Sequence, residues 1–366
     1  MKSLKWTIGM MSGTSMDGIA VAAIKTDGEE IFEKKAGLTV SYSPEFRDKL
    51  RGILGQGTLT VSIASIEKEL TELHAHAFFR YLEEACILPT EVGLIGFHGH
   101  TIFHQPPSRF DTPRTWQIGD GHLLSQLTQT DVVFNMREND VKHGGEGAPL
   151  VPLYHRALAH DLKKPVAIIN IGGISNVTWI GHKGELLAFD MGPGNALLDD
   201  WVKTHYNLPY DKDGLIAARG TLNKEVIKNF TAHPYFHQKP PKSLDRLDFN
   251  LEDVRHLSPE DALATLTEMT AVAIKEGTRF FAEMPDTYII TGGGRLNKTL
   301  MQRLAFHLAP AQVQTTEKIG WDGDYIESEA FAFLAVRATK GLPLSEPTTT
   351  GVKKAVSGGA WVKVDI

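Results

Sequence analysis

Apolar residues along this chain gather in short runs, and three of those runs lead into glycine-rich turns. Residues 5–11 and 19–25 are apolar-rich and flank the first turn, Gly9-Met-Met-Ser-Gly-Thr-Ser-Met-Asp-Gly18. That pattern predicts a strand on either side. Residues 30–42 continue with strand-like alternation. Between 61 and 86 the period changes: Ile63, Ile66, Leu70, Leu73, Ala77 and Phe78 recur at helical spacing. Residues 92–97 form a short apolar run ending at His98-Gly-His100, which predicts a buried strand. The opening third therefore reads β-β-β-α-β.

A similar order returns later. Residues 165–171 predict a buried strand that enters the second turn, Asn170-Ile-Gly-Gly-Ile-Ser-Asn176. Strands follow at 177–180 and 186–189. A long helix is predicted over 258–284, with Ser258 as N-cap, Pro259 in the first position and acids in the first turn. The strand 287–290 enters the third turn, Thr291-Gly-Gly-Gly-Arg-Leu-Asn297. The pattern predicts a duplicated mixed α/β domain with a ligand between the copies. The boundaries expected are 1–130, joined by a returning tail at 341–366, and 131–340. Proline-rich, polar segments at 104–114 and 233–248 read as loops or lids.

Bulk properties narrow the classes. A length of 366 residues fits about two domains. Net charge is −6 with a pI near 6.2 and no basic stripe, so no nucleic-acid partner is expected. The single cysteine, Cys86, excludes an internal disulfide and fits a reducing compartment. No apolar run approaches a membrane span, and residues 1–8 lack a signal-like apolar stretch. The expectation is a soluble, cytoplasmic protein with no membrane partner.

The turns carry the candidate chemistry. Ser12, Gly13, Thr14 and Ser15 offer backbone N–H groups and hydroxyls to phosphate oxygens, and Asp17 offers a carboxylate to Mg²⁺ through water or to a substrate hydroxyl. A plain hairpin turn is the alternative. The Walker pattern and the Rossmann glycine fingerprint are both absent. Gly13-Thr-Ser-Met16 copies the string around a subtilisin-type nucleophile, but no Asp or His precedes Ser15 as that chain order requires.

Asp190, in Phe189-Asp-Met-Gly-Pro-Gly-Asn195, ends an apolar run and is read either as a general base or as an Asx-turn cap. Arg137-Glu-Asn-Asp140 meets the turn Gly144-Gly-Glu-Gly-Ala-Pro149, as a ligand site or as a solvated loop. His98, His100 and His104 cluster, while His74 and His76 fall on different helix faces. No structural metal site is expected. His98 and His100 read as hydrogen-bonding groups of a polar cleft.

Together these strings resemble the anhydro-N-acetylmuramic acid kinase family. The resemblance rests on the first two glycine turns, Phe97-His-Gly-His-Thr101, Trp116-Gln-Ile-Gly-Asp120, Gly144-Gly-Glu-Gly-Ala-Pro-Leu150 and Phe189-Asp-Met-Gly-Pro-Gly-Asn195. Thr291-Gly-Gly-Gly294 and Glu327-Ser-Glu-Ala-Phe331 extend it over nearly the whole chain.

It implies an α/β fold of two RNase-H-like domains, of the actin, hexokinase and Hsp70 type, with an ATP cleft between them. It also implies hydrolysis of the 1,6-anhydro ring together with phosphoryl transfer from ATP to O6. The products would be N-acetylmuramic acid 6-phosphate and ADP, in cell-wall recycling. Asp190 matches the family's base and Glu327 a second acidic residue. By the same resemblance ATP phosphates fall to Ser12, Gly13, Thr14, Ser15, Met16, Asp17, Gly18, Gly172, Gly173 and Gly192. Adenosine falls to Gly292, Gly293, Gly294 and Asn297. The sugar falls to Thr14, Asp17, His98, His100, Gln117, Asp120, Arg137 and Asp140. Mg²⁺ would accompany ATP, and a homodimer stays open.

Ala20, Asn135 and Met191 depart from the family pattern, where acids and a threonine are usual. Two alternatives remain: a kinase of this fold acting on an ordinary hexose or amino sugar, and a non-catalytic ATP-dependent clamp.

Overall fold

A computed structural model describes residues 4–13 and 16–364. It divides into two compact units, Met1–His160 with Asp324–Ile366, and Asp161–Gly323.

In the first unit β1 (Trp6–Ser12) and β2 (Gly18–Thr26) form an antiparallel pair across the first glycine turn. The alternating segment 30–42 is two strands rather than one, β3 (Ile31–Lys34) and β4 (Leu38–Ser41). Both pair with β2 at different stretches, and the chain breaks between them where Gly37 packs under the ring of Tyr325. The helix Val61–Ala85 matches its period; Thr60 caps its start, and Cys86 ends it in a left-handed conformation. β5 (Val92–Gln105) runs well beyond His98. Gly99 has φ +72° there, and beyond this bend the strand leaves β1 to pair with β6 (Arg114–Ile118). The loop expected at 104–114 is thus the tip of a hairpin.

β7 (Val132–Phe134) lies parallel to β5, and the C-terminal strand Ala360–Val362 adds to β7. The helix Ile326–Thr339 lies on β1, β2 and β5. It comes so close that a Cβ on Gly9 would fall 1.7 Å from Ser328 O, and one on Gly96 2.1 Å from Phe331 O. The compact units divide after His160 and after Gly323.

The second unit repeats the plan. β8 (Val166–Ile171), β9 (Ile174–Ile180) and β10 (Leu186–Pro193) form an antiparallel meander. β11 (Thr287–Thr291) and β12 (Gln312–Thr315) add in parallel beyond β8. The order is β10-β9-β8-β11-β12; the matching part of the first sheet is β3-β2-β1-β5-β7. Both read 3-2-1-4-5, with the same strand directions. This is the RNase-H-like sheet, present twice.

The helix Pro259–Gly277 starts as expected, with Ser258 Oγ accepting from Asp261 N at 3.2 Å, but ends earlier than residue 284. A Cβ on Gly277 would sit 2.4 Å from Met191 Cε, and a tight turn, Thr278–Phe280, follows at once. No helix among the described residues is long and apolar enough to cross a membrane.

Candidate active site

In the first unit the residues expected to meet ligand are largely bonded to one another. Ser12 is buried at the end of β1. Its Oγ lies 3.0 Å from His100 Nδ1 and accepts from Tyr42 Oη at 2.8 Å. Burial drives the His100 pKa down to about 4, and that of neighbouring His74 to about 4 as well. Nε2 of both rings is buried without a hydrogen-bond partner. His98 is buried too; its Nδ1 lies 3.0 Å from Gly99 O, and its Nε2 accepts from Arg137 Nε at 2.9 Å. With burial first and the Arg137 charge second, His98 is held well below the usual histidine range, so it stays neutral.

Arg137 also donates to Gly147 O at 2.8 Å and lies over the Phe331 ring. Asp140 Oδ2 accepts from Gly147 N at 2.7 Å, and Oδ1 accepts from Thr350 Oγ1 at 2.6 Å and from Ser345 Oγ. Asp140 is therefore a buried staple of the segment 137–147, whose residues Glu138, Lys142, His143 and Gly144 stay exposed. Glu327 opens the helix Ile326–Thr339 and remains open to solvent, yet protein atoms crowd around it. That crowding raises its pKa and Arg137 opposes the rise. A carboxyl so placed can hold a proton nearer neutrality than an ordinary glutamate.

Gln117 and Asp120 stand apart from this cluster. They line a cavity of about 420 Å³ with Trp116, Arg114, Glu67 and Glu138. Gln117 Nε2 donates to Thr115 Oγ1 at 2.7 Å, and Asp120 Oδ1 caps the helix Gly121–Thr128. On the first turn Met16 N closes onto Gly13 O at 3.0 Å and Asp17 is exposed. Gly18 is packed against β4, where a Cβ would lie 2.3 Å from Val40 O. Thr14 and Ser15 lie outside the described residues.

In the second unit backbone rather than side chains converges. The turn after β8 accepts from the turn after β10: Gly194 N donates to Gly173 O at 2.9 Å and Asn195 N to Gly172 O at 2.7 Å. The turn after β11 closes on the same point. Gly292 has φ +73°, and a Cβ there would lie 2.3 Å from Asn170 Oδ1. Arg295, buried, braces this turn by donating to Gly292 O at 3.0 Å and to Glu317 Oε1 at 2.7 Å.

A Cβ on Gly172 or Gly173 would meet nothing nearer than 3.6 Å or 3.7 Å respectively. The fold itself does not require glycine at these two positions, which leaves open space beside main-chain atoms. Gly192 differs: its missing side chain admits Ala273, with a Cβ contact of 2.5 Å. Asn297 caps the helix Lys298–His307 through Leu300 N at 3.0 Å.

Asp190 lies within β10 rather than at its end, at a bulge before Gly192. The segment 233–248 straps across it. Asp190 N donates to Lys242 O at 3.1 Å, Leu244 N donates to Asp190 Oδ2 at 2.8 Å, and Tyr235 Oη donates to Asp190 O. The carboxylate thus accepts from an N–H 54 residues away. Tyr42, Tyr235, Lys242 and Arg295 were not singled out in the sequence. Tyr42, Tyr235 and Lys242 support a motif from a distance along the chain, where local pattern carries no signal, whereas Arg295 braces the turn it belongs to.

The sequence profile of the family described as "Anhydro-N-acetylmuramic acid kinase" matches residues 5–363. The anhydro-N-acetylmuramic acid kinase of Rhodospirillum rubrum is 43% identical over 359 residues, covering 97% of this chain and 94% of its own. That of Paramagnetospirillum magneticum is 46% identical over 356 residues, covering 96% and 98%. Among solved structures, the (R)-2-hydroxyglutaryl-CoA dehydratase component A of Acidaminococcus fermentans aligns with a TM-score of 0.48 at 13% identity. It covers 92% of this chain and 99% of its own, a likeness that adds nothing to the strand order.

Proposed function

The chain belongs to the anhydro-N-acetylmuramic acid kinase family, and from that membership we propose that it phosphorylates 1,6-anhydro-N-acetylmuramic acid with ATP while opening the anhydro ring by hydrolysis. The products are N-acetylmuramic acid 6-phosphate and ADP, and the setting is cytoplasmic recycling of cell-wall sugars. Asp190 carries the reading. It is a carboxylate with one oxygen fixed by Leu244 N, in the family's base position.

In this proposal Asp190 takes a proton from the water that attacks C1. The C1–O6 bond breaks and its electron pair stays on O6. O6 then attacks the γ-phosphorus, and ADP leaves with the electrons of the broken P–O bond. Glu327 is the second acidic group. Gly172 and Gly173 leave room for phosphate oxygens beside main-chain atoms, and Gly292–Gly294 for the nucleoside. Ser12, His98, His100 and Asp140 hold their loops through the bonds described above. Gln117 and Asp120 offer polar groups to a hydroxyl-rich ligand in their cavity. Mg²⁺ would enter with ATP and neutralise charge on its phosphates.

Incubation with the anhydro sugar and ATP in ¹⁸O-water, read by mass spectrometry, tests the reaction. The label is expected on the C1 hydroxyl of a sugar 6-phosphate. No sugar phosphate, or a preference for ordinary hexoses, overturns the reading. ATP turnover indifferent to every sugar turns it toward a clamp.

A further inference from the structure

Lys242 has no part in the reaction just described, yet it is among the most confined charges of the second unit. It is 8% exposed. Its Nζ donates to Tyr235 O at 2.9 Å. Three rings face the ammonium, Tyr235 at 4.2 Å, Phe280 at 4.7 Å and Phe189 at 5.6 Å. A buried ammonium is costly unless its surroundings answer the charge, and ring faces with a carbonyl answer part of it. The same residue reaches Asp190 through its main chain, since Lys242 O accepts the Asp190 N–H. Two residues on, Leu244 N–H holds the carboxylate itself. Tyr235, the ring and carbonyl partner of Lys242, also donates to Asp190 O.

We propose that Lys242 is the positioning residue for Asp190: it pins the strap segment 235–244 to β10, so that Leu244 N–H fixes one carboxylate oxygen. The inference rests on the reading of Asp190 as the base. Burial and then the charge of Arg279, from the turn Thr278–Phe280, lower the Lys242 pKa to about 8, with Asp190 opposing both. The lysine and the carboxylate therefore sense each other's charge. An uncharged residue of the same length fills the aromatic cage but supplies neither the cation nor the bond to Tyr235 O.

The test compares Lys242→Met, Lys242→Arg, Tyr235→Phe and Asp190→Asn in the full chain. Lys242→Met is expected to lower kcat roughly 10- to 100-fold, with the KM for ATP within about twofold of wild type. The acid limb of kcat/KM should move up by about one pH unit, because Asp190 loses a stabilising cation. Lys242→Arg should recover most of the rate. Wild-type kcat and an unmoved acid limb in folded Lys242→Met overturn the proposal. Should that variant not fold, Tyr235→Phe decides. It keeps the ring and removes the O–H that donates to Asp190 O, so a several-fold fall in kcat supports the strap and an unchanged kcat overturns it. Asp190→Asn separates the two levels. Near-normal turnover there removes the base and this inference with it. An inactive Asp190→Asn beside a fully active Lys242→Met removes the inference alone.

Discussion

The two units share one sheet plan and build their polar centres in opposite ways. In the first unit the named side chains turn inward: Ser12 meets His100 and Tyr42, His98 meets Arg137, and Asp140 gathers three donors. In the second unit main chain converges, with the turns after β8, β10 and β11 bonded or packed on one another. Side chains there act mainly as braces, as Arg295 does for Gly292. The contrast follows from what each arrangement asks of the sequence. A buried polar network needs particular side chains, each with its partner satisfied. A backbone cradle needs glycine where a Cβ would fill the space.

Asp140→Ala gives the largest effect expected from this contrast. It leaves Gly147 N, Ser345 Oγ and Thr350 Oγ1 without their buried acceptor. Leaving such donors unpaired costs roughly 3 kcal/mol or more. Urea unfolding should show that loss without any ligand present. An unchanged midpoint with a raised KM for the sugar would instead make Asp140 a ligand group and dissolve the contrast.

Acid should act in the same direction. His74 and His100 are neutral when folded, with pKa values near 4, whereas an unfolded chain protonates near 6.5. Between those limits the unfolded state binds protons that the folded state refuses. Stability is therefore complete above about pH 6.5 and falls as pH drops toward 4. By pH 5 each histidine contributes a loss of about 2 kcal/mol, and His98 adds to it. His74→Leu removes a buried ring nitrogen that has no partner, so it should flatten the slope of the urea midpoint between pH 7 and pH 5. An undiminished slope would show that this buried histidine is not a source of it.

The repeated sheet was legible because strand runs and glycine turns follow local periods. The strap on Asp190 was not. Lys242 and Leu244 sit in a polar, proline-rich stretch and act on a strand about fifty residues away. The family strings name residues of the first unit without showing what each side chain bonds to. Ser12 and His100 look the same in sequence whether they face a ligand or each other; burial alone separates the two, and burial depends on the helix Ile326–Thr339 returning over β1. Gly18 and Gly192 resembled cradle glycines, yet packing with Val40 and Ala273 accounts for them.

The smallest structural change carries the sharpest comparison within the second unit. Gly292→Ala places a methyl 2.3 Å from Asn170 Oδ1 at φ +73°, so it should destabilise the fold by about 1–3 kcal/mol. Gly173→Ala adds the same methyl where the nearest atom lies 3.7 Å away, at a backbone angle any residue adopts. Its unfolding midpoint should stay within about 0.5 kcal/mol of wild type. A phosphate approaching the main chain would nevertheless meet that methyl, so the KM for ATP should rise roughly tenfold, about 1.4 kcal/mol of lost binding. Equal stability with an unchanged KM would mean that the open space at Gly173 is not where phosphate lies. The cradle would then narrow to Gly172 and the turn at Gly292–Gly294.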